Sequence, residues 1–295
     1  METENKITLF LNATALNYLA CERRYQVSAL WGYKDKASDA ADFGNDFHTF
    51  AYHLEGPEKL GVIDQVQRPE ITLPFKSNPD FAKLCVFYEA SPILQDGKVF
   101  KDNEGKPSLE YKFHIPWAQT DKYNIHLVGT IDRADTIRQC VRIIDRKTSR
   151  KVHPTDVLQG YNLQVQVPFY MYIWKKYLAK DFPEEVRNLP VIGQYLGVFM
   201  SFEPAKFELG NVISYTPSLE ADIEEHLQSA ARKMIELADR GEHLAPPTGM
   251  AAKLSDETVC KYCFLANLCR VRDHSAIIKY LKTLQSEPYD PRTWR

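Results

Sequence analysis

The spacing of apolar side chains along the chain predicts several amphipathic helices. Between residues 38 and 55, apolar side chains recur four, three and four residues apart, which places them on one helical face: Phe43, Phe47, Phe50 and Leu54. Similar patterns predict helices over 14–30, 80–90 and 218–240, and Gly241 follows the last of these as a natural stop. A helix over 157–179 must kink or start anew at Pro168.

From residue 109 the pattern changes to strict alternation, which is typical of a strand. Five apolar residues alternate with other residues there: Leu109, Tyr111, Phe113, Ile115 and Trp117. Further strands are predicted over 125–132, 141–147, 191–202 and 207–209, with a turn near 135–139. Helices followed by strands, then helix, strand and helix, predict an α/β fold with a helical N-terminal part.

The amino-acid composition argues against several classes of protein. The chain has 295 residues, of which 44 % are hydrophobic, so it can bury a sizeable core and is not intrinsically disordered. The formal charge is −2, so nucleic-acid binding would need a local basic patch. No apolar run approaches the ~20 residues of a membrane span, and the acidic start differs from a signal peptide. We therefore expect a cytoplasmic protein with no membrane partner.

Two acids and a lysine lie on two of the predicted strands. Asp132 ends the segment Gly-Thr-Ile-Asp, and Asp145 is followed at the second position by Lys147. Side chains two apart on a strand share a face, and pairing of the strands would bring Asp132 near Asp145. Such a group can hold Mg²⁺ and stabilise charge on a phosphate. The alternative is that these are ordinary turn or solvated residues.

The cysteines predict a second metal centre. Cys260 and Cys263 are separated by two residues, and Cys269 follows after five more. A tetrahedral zinc site or a cubane cluster needs a fourth thiolate. Three other cysteines are available: Cys21, Cys85 and Cys140. The spacing alone leaves zinc and an iron–sulfur cluster open, as well as cysteines without a metal.

These segments together resemble the RecB-like branch of the PD-(D/E)XK nuclease superfamily, in its iron–sulfur subgroup. Six motifs occur in the family's order, within 16–25, 44–48, 129–133, 145–147, 166–170 and 260–269. The resemblance covers about residues 11–270. It implies a restriction-endonuclease-like core with a central mixed β-sheet flanked by helices, and one nuclease domain over 1–295. Its parts would be a helical segment (11–105), the nuclease core (106–242) and a C-terminal segment (243–295).

The resemblance also implies roles for single residues. The ligands of Mg²⁺ or Mn²⁺ would be His48, Asp132, Asp145 and the backbone carbonyl of Arg146. Lys147 would be the catalytic lysine. Gln166 and Tyr170 would line the site, although Tyr170 also fits a packed aromatic cluster. The family often has an acid on the strand before the two that carry Asp132 and Asp145, and Glu110 would be that acid here.

One cysteine before the nuclease core and three after it match the iron–sulfur subgroup. The resemblance therefore implies a [4Fe–4S] cluster that staples the C-terminal segment to the core, with Zn²⁺ as the alternative. The four ligands would be Cys21, Cys260, Cys263 and Cys269.

A basic segment adjoins the predicted metal ligands. Between residues 133 and 151 there are seven basic residues and two acids, a local charge of +5 that suits phosphate binding. The predicted DNA contacts are Arg133, Arg146, Arg150, Lys151 and Tyr170. We expect a metal-dependent exonuclease that acts on DNA ends and prefers single strands, in recombination or repair, with a helicase or recombination protein as partner. The alternative is a catalytically silent iron–sulfur subunit that binds nucleic acid.

Overall fold

The computed structural model of the chain describes most of its residues: 6–19, 21–33, 39–149, 165–199, 205–241, 243–245, 263, 265–266, 269 and 274–283. The chain forms two compact units. The smaller contains residues 1–36, 113–129 and 224–295, and the larger contains residues 37–112 and 130–223. No helix among the described residues is both long and apolar enough to cross a membrane. A single nuclease domain over 1–295 stays a prediction.

The helices and strands have the following bounds. The α-helices are α1 (Ala13–Tyr18), α2 (Glu22–Tyr25), α3 (Asp39–Glu55), α4 (Val62–Gln67), α5 (Pro79–Glu89), α6 (Gln166–Ile173), α7 (Glu184–Arg187), α8 (Pro217–Asp239) and α9 (His274–Leu281). The strands are β1 (Ile7–Leu11), β2 (Lys98–Val99), β3 (Leu109–Gln119), β4 (Tyr123–Ile137), β5 (Cys140–Ser149), β6 (Val191–Phe199), β7 (Lys206–Leu209) and β8 (Ile213–Ser214).

The longest helices lie within one residue of their predicted bounds, because each has a continuous apolar stripe. Two predicted helices differ in detail. The first is divided into α1 and α2, and α2 continues as a π-helical turn, Gln26–Leu30. Pro168 is the third residue of α6, where its missing N–H interrupts no helical hydrogen bond, so it opens this helix. Residues 157–164 of the predicted helix lie outside the described residues.

The larger unit contains a mixed sheet. Strand β4 is antiparallel to β2 and β5, β5 is parallel to β6, and β6 is antiparallel to β7 and β8. Only two residues connect β4 to β5, and both have positive φ, Arg138 at 46° and Gln139 at 61°. Positive φ at both central positions is typical of a type I′ hairpin turn, although neither residue is the usual glycine or asparagine.

Helices cover both faces of this sheet. On one face, a buried cluster joins α3 and α5 to Ile144 of β5 and to Leu196 and Val198 of β6. On the other face, α6 lies against β6 at Gly193, where a Cβ atom would lie 2.3 Å from Val167 Cγ1. The larger unit is therefore a mixed α/β structure with a central sheet flanked by helices. The order of helices and strands predicted an α/β fold, and the resemblance implied the flanked central sheet.

The smaller unit has its own strand pair and its own core. Strand β1 runs parallel to the first residues of β4, with Leu9 opposite Ile125. A small cluster of buried residues joins the π-helical turn after α2 to α9: Val27, Leu265, Ile277 and Leu281. Two polar residues of the α2 region are buried: Arg23 Nε donates to the carbonyl of Ala245, and Gln26 Nε2 donates to that of His243, both at 2.9 Å.

Candidate metal centre

Three side chains from different elements of the larger unit converge at one point. His48 Nδ1 on α3 lies 3.0 Å from Glu110 Oε1 on β3 and 3.7 Å from Asp132 Oδ2 on β4. One ligand atom from each of the three residues lies within 4.8 Å of the other two. An imidazole nitrogen and two carboxylate oxygens at this spacing could hold one metal ion.

Neighbouring residues and backbone conformation explain how His48 and Glu110 reach this meeting point. Phe47 and Phe50 are fully buried in the core under α3, which leaves the neighbouring His48 at the edge of the apolar face. Gly44, one turn earlier, allows α3 to approach β5, because a Cβ atom there would lie 3.2 Å from Thr148 Oγ1. Glu110 has a φ of 45°, a conformation that residues other than glycine seldom adopt and that often marks functional sites.

The charges of the three side chains favour a bound cation at the point where they meet. Burial lowers the pKa of His48, but the charges of Asp132 and Glu110 outweigh it and raise the pKa to about 9. Burial also raises the pKa of Asp132, while His48 lowers it and Glu110 raises it. Two buried or half-buried carboxylates therefore face a single imidazole, and a divalent cation would balance them.

Asp145 and Lys147 stand beside this group on β5. The β4–β5 register places Arg133 opposite Ile144, so Asp132 and Asp145 follow as neighbours, as predicted. Asp145 Oδ2 lies 2.7 Å from Lys147 Nζ, and the fully buried Oδ1 accepts no hydrogen bond from the described residues. Burial raises the pKa of Asp145 to about 6, against the lowering effect of Lys147. A buried carboxylate oxygen without a donor fits a metal ligand.

A chain of hydrogen bonds extends from Lys147 to α6. Lys147 Nζ donates to Gln166 Oε1 at 3.0 Å, and Gln166 Nε2 donates to the Tyr170 hydroxyl at 3.2 Å. Burial, followed by the charges of Asp145 and Asp132, raises the pKa of Tyr170 well above its ordinary value. The structure thus brings both predicted α6 residues to the lysine. Their catalytic roles, and a metal contact from the Arg146 carbonyl, stay predictions.

Two predicted DNA contacts occupy buried positions. Arg133 and Arg146 are 2 % and 1 % exposed, and their guanidinium groups bind acids inside the larger unit. Even-numbered residues of β5 face α3, so Arg146 points away from Lys147, as the strand period predicts. In this structure neither guanidinium is available to a phosphate. Arg150 and Lys151 lie outside the described residues.

The acid that binds both arginines is Glu55, which sequence reasoning missed. It lies at the end of α3, seven residues after His48 and therefore on nearly the same helical face. Its Oε2 accepts from Arg146 Nη2 at 2.6 Å and also from Arg133 Nη1. The available signal was a glutamate at helical spacing from a candidate ligand, together with two arginines in or beside predicted strands.

The smaller unit contains the described cysteines of the predicted cluster. Cys263 and Cys269 pack against its small core, and Cys21 precedes α2. Burial raises the pKa of Cys263, and the nearby Cys21 and Cys269 raise it further. Arg23 Nη1 donates to Cys269 Sγ at 3.4 Å. Among the described residues the cysteines do not form a group of three ligands within 4.8 Å, and Cys260 lies outside those residues.

Residues 11–270 match the family model of the PD-(D/E)XK nuclease superfamily. No curated protein matches the chain. Among solved structures, a candidate exonuclease from Eubacterium rectale is 13 % identical, with a TM-score of 0.48, over 90 % of this chain and 88 % of that one. A protein designated SSO0001 is 14 % identical, with a TM-score of 0.33, over 92 % and 89 %.

Proposed function

Because this chain belongs to the PD-(D/E)XK nuclease superfamily, we propose that it is a metal-dependent deoxyribonuclease of the RecB-like branch. The observation that carries the proposal is the convergence of His48, Glu110 and Asp132 beside the Asp145–Lys147 pair. Acids, an imidazole and a lysine around one point can hold a divalent metal and stabilise charge, as metal-dependent phosphodiester hydrolysis needs.

The proposed roles follow from the contacts of each side chain. His48, Glu110, Asp132 and Asp145 would hold Mg²⁺ or Mn²⁺, which supplies an activated water and neutralises charge on the phosphate. Lys147 would stabilise the developing negative charge at the phosphoryl oxygens. Its ammonium group is kept in place by Asp145 on one side and by Gln166 on the other. Tyr170 holds the amide of Gln166, so α6 positions the lysine.

The proposed substrate is DNA, with attack from an end and a preference for single strands. This part rests on the resemblance to the RecB-like branch and on the basic segment over 133–151. Because Arg133, Arg142 and Arg146 are buried, the phosphate contacts within this segment would come from its other basic residues. The proposed context is recombination or repair, together with a helicase or another recombination protein.

A cleavage assay tests the nuclease. End-labelled single- and double-stranded DNA is incubated with Mn²⁺ or Mg²⁺ and with wild type, Asp145→Asn or Lys147→Ala. We expect metal-dependent cleavage by wild type and a loss of at least about a hundredfold in each variant. Asp145→Asn weakens a proposed metal ligand, and Lys147→Ala removes the positive charge that would stabilise the phosphoryl oxygens. The control is Lys98→Ala, which removes an exposed lysine of β2. The product ladder gives the polarity.

One result would show that the chain binds DNA but is not an enzyme. If folded, metal-loaded wild type binds DNA tightly but cleaves neither substrate, the chain is a catalytically silent subunit. Equal cleavage by wild type and both variants would place the reacting site elsewhere.

We also propose that Cys21, Cys260, Cys263 and Cys269 hold a [4Fe–4S] cluster. The resemblance supports this assignment, and the three described cysteines all belong to the smaller unit. Anaerobically purified protein should contain iron and acid-labile sulfide, and Cys269→Ser should lose both. Cys140→Ser, at the start of β5, should keep them. A colourless wild type loaded with zinc would contradict the cluster.

A further inference from the structure

Glu55 is the centre of a buried hydrogen-bond network under the candidate metal centre. Its side chain is 8 % exposed. Oε1 accepts from the Tyr88 hydroxyl at 2.7 Å, and Oε2 accepts from Arg146 and Arg133. Burial raises the pKa of Glu55, but the charges of Arg146 and Arg133 outweigh it, so the net shift is downward and the carboxyl is ionised at neutral pH.

Arg146 connects this carboxylate to the proposed ligands. Its Nη2 binds Glu55, while its Nη1 donates to the backbone carbonyl of Asp132 at 3.1 Å and lies 3.5 Å from Glu110 Oε1. Its backbone N–H also donates to Asp132 Oδ2 at 2.7 Å. A guanidinium group is planar and rigid, so an acid that fixes one nitrogen also fixes the other.

The charge of Arg146 would otherwise oppose metal binding. A fully buried cation within 3.5 Å of a proposed ligand oxygen competes for that oxygen and repels a divalent ion. Glu55 lies on the far side of the same guanidinium group and balances it. The carboxylate therefore has two consequences for the centre, one geometric and one electrostatic, although it does not touch the point where His48, Glu110 and Asp132 meet.

We propose that Glu55 is a positioning residue of the metal centre, which acts through Arg146 to orient Asp132 and Glu110 and to balance the arginine's charge. This inference rests on the proposed function, because it assumes that those two carboxylates bind a divalent ion. It assigns a role to a residue outside the family motifs found in the sequence.

Mn²⁺ titration, followed by electron paramagnetic resonance of the free ion, tests the proposal without DNA. Glu55→Gln keeps the shape of the side chain and removes its charge. We expect its Mn²⁺ affinity to fall about tenfold to a hundredfold, as is usual when a group that orients metal ligands is lost. Cleavage at saturating Mn²⁺ should recover most of the wild-type rate, because no group that contacts the substrate has changed.

The control is Tyr88→Phe, which removes the hydrogen bond to Oε1 and leaves every charge in place. It should change Mn²⁺ affinity by less than about threefold, since it disturbs the same buried region without unbalancing Arg146. A Glu55→Gln affinity equal to that of wild type would overturn the proposal. If Glu55→Gln does not fold, Glu55→Asp replaces it. That variant should bind Mn²⁺ several times more weakly than wild type, and unchanged affinity would overturn the proposal.

Two outcomes separate this inference from the proposed function. Wild type that binds Mn²⁺ without cleaving DNA, with weakened binding in Glu55→Gln, refutes the nuclease and supports the positioning role. Wild type that cleaves DNA, with equal Mn²⁺ affinity in both proteins, supports the nuclease and refutes the positioning role.

Discussion

Asp135 is a buried acid that the candidate chemistry does not use. It is fully buried in the larger unit, where Oδ1 accepts from Arg142 Nε at 2.9 Å. Oδ2 accepts from Arg142 Nη2 and from Arg133 Nε, both at 2.7 Å. One carboxylate therefore satisfies two buried guanidinium groups on neighbouring strands. Such an arrangement makes the folded state sensitive to the loss of this single charge.

We expect Asp135→Asn to lower the free energy of unfolding by about 3–5 kcal/mol, because it leaves two buried cations with one acid fewer. Urea denaturation measures the change. The matched control is Asp96→Asn, an exposed aspartate of the same unit, which should change stability by less than about 0.5 kcal/mol. A loss below about 1 kcal/mol in Asp135→Asn would show that the arginines find other partners.

At the scale of elements, the site depends on how closely α6 approaches β6. A Cβ atom at Gly193 would lie 2.3 Å from Val167 Cγ1 and 2.5 Å from Met171 Sδ. The methionine can move, but the branched Val167 has little freedom in a helix. Tyr195 adds a second link, because its hydroxyl accepts from the Val167 N–H at 3.3 Å. A shift of α6 would therefore move Gln166 away from Lys147.

Gly193→Ala should destabilise the fold by about 1–3 kcal/mol through overpacking, and it should lower cleavage more than binding of DNA. Urea denaturation and single-turnover cleavage measure the two effects. The double variant Gly193→Ala/Val167→Ala should recover part of both, since it removes the methyl group that the new side chain meets. Additive losses in the double variant would mean that the contact with Val167 is not the cause.

The spacing of apolar residues predicted the helices and strands better than it predicted which side chains contact one another. The stripe of Phe43, Phe47 and Phe50 fixes α3 within one residue, because its signal is local. The role of Glu55 was not predictable in this way, since its arginines lie 78 and 91 residues away in the sequence. The position of Glu110 beside His48 depends on a backbone of positive φ, which no spacing rule reveals. The resemblance supplied the proposed ligands His48, Asp132 and Asp145, and the tertiary contacts of the folded chain revealed Glu55 behind them.

At the scale of the whole molecule, metal binding should be coupled to folding. The candidate ligands come from α3, β3, β4 and β5, which are adjacent only in the folded chain. A cation that binds the folded state alone adds about 2.7 kcal/mol of stability when its concentration is a hundred times its dissociation constant.

Thermal unfolding with and without Mn²⁺ therefore tests the centre without a substrate. We expect Mn²⁺ to raise the Tm of wild type by several degrees and EDTA to reverse the rise. Asp132→Asn should lose most of the increase, since a neutral amide is a poorer ligand for a hard cation. An equal rise in wild type and Asp132→Asn would place the stabilising ion at a different site.

The left-handed backbone of Glu110 implies a compromise between stability and activity. A non-glycine residue at positive φ costs about 1 kcal/mol or more, which glycine avoids. The Glu110 side chain is 25 % exposed and lies 3.0 Å from His48, so the loss of this contact offsets part of the gain. Glu110→Gly should therefore unfold at a temperature close to that of wild type or above it, while binding Mn²⁺ poorly. Selection for a more stable protein and selection for an active one would favour different residues at position 110.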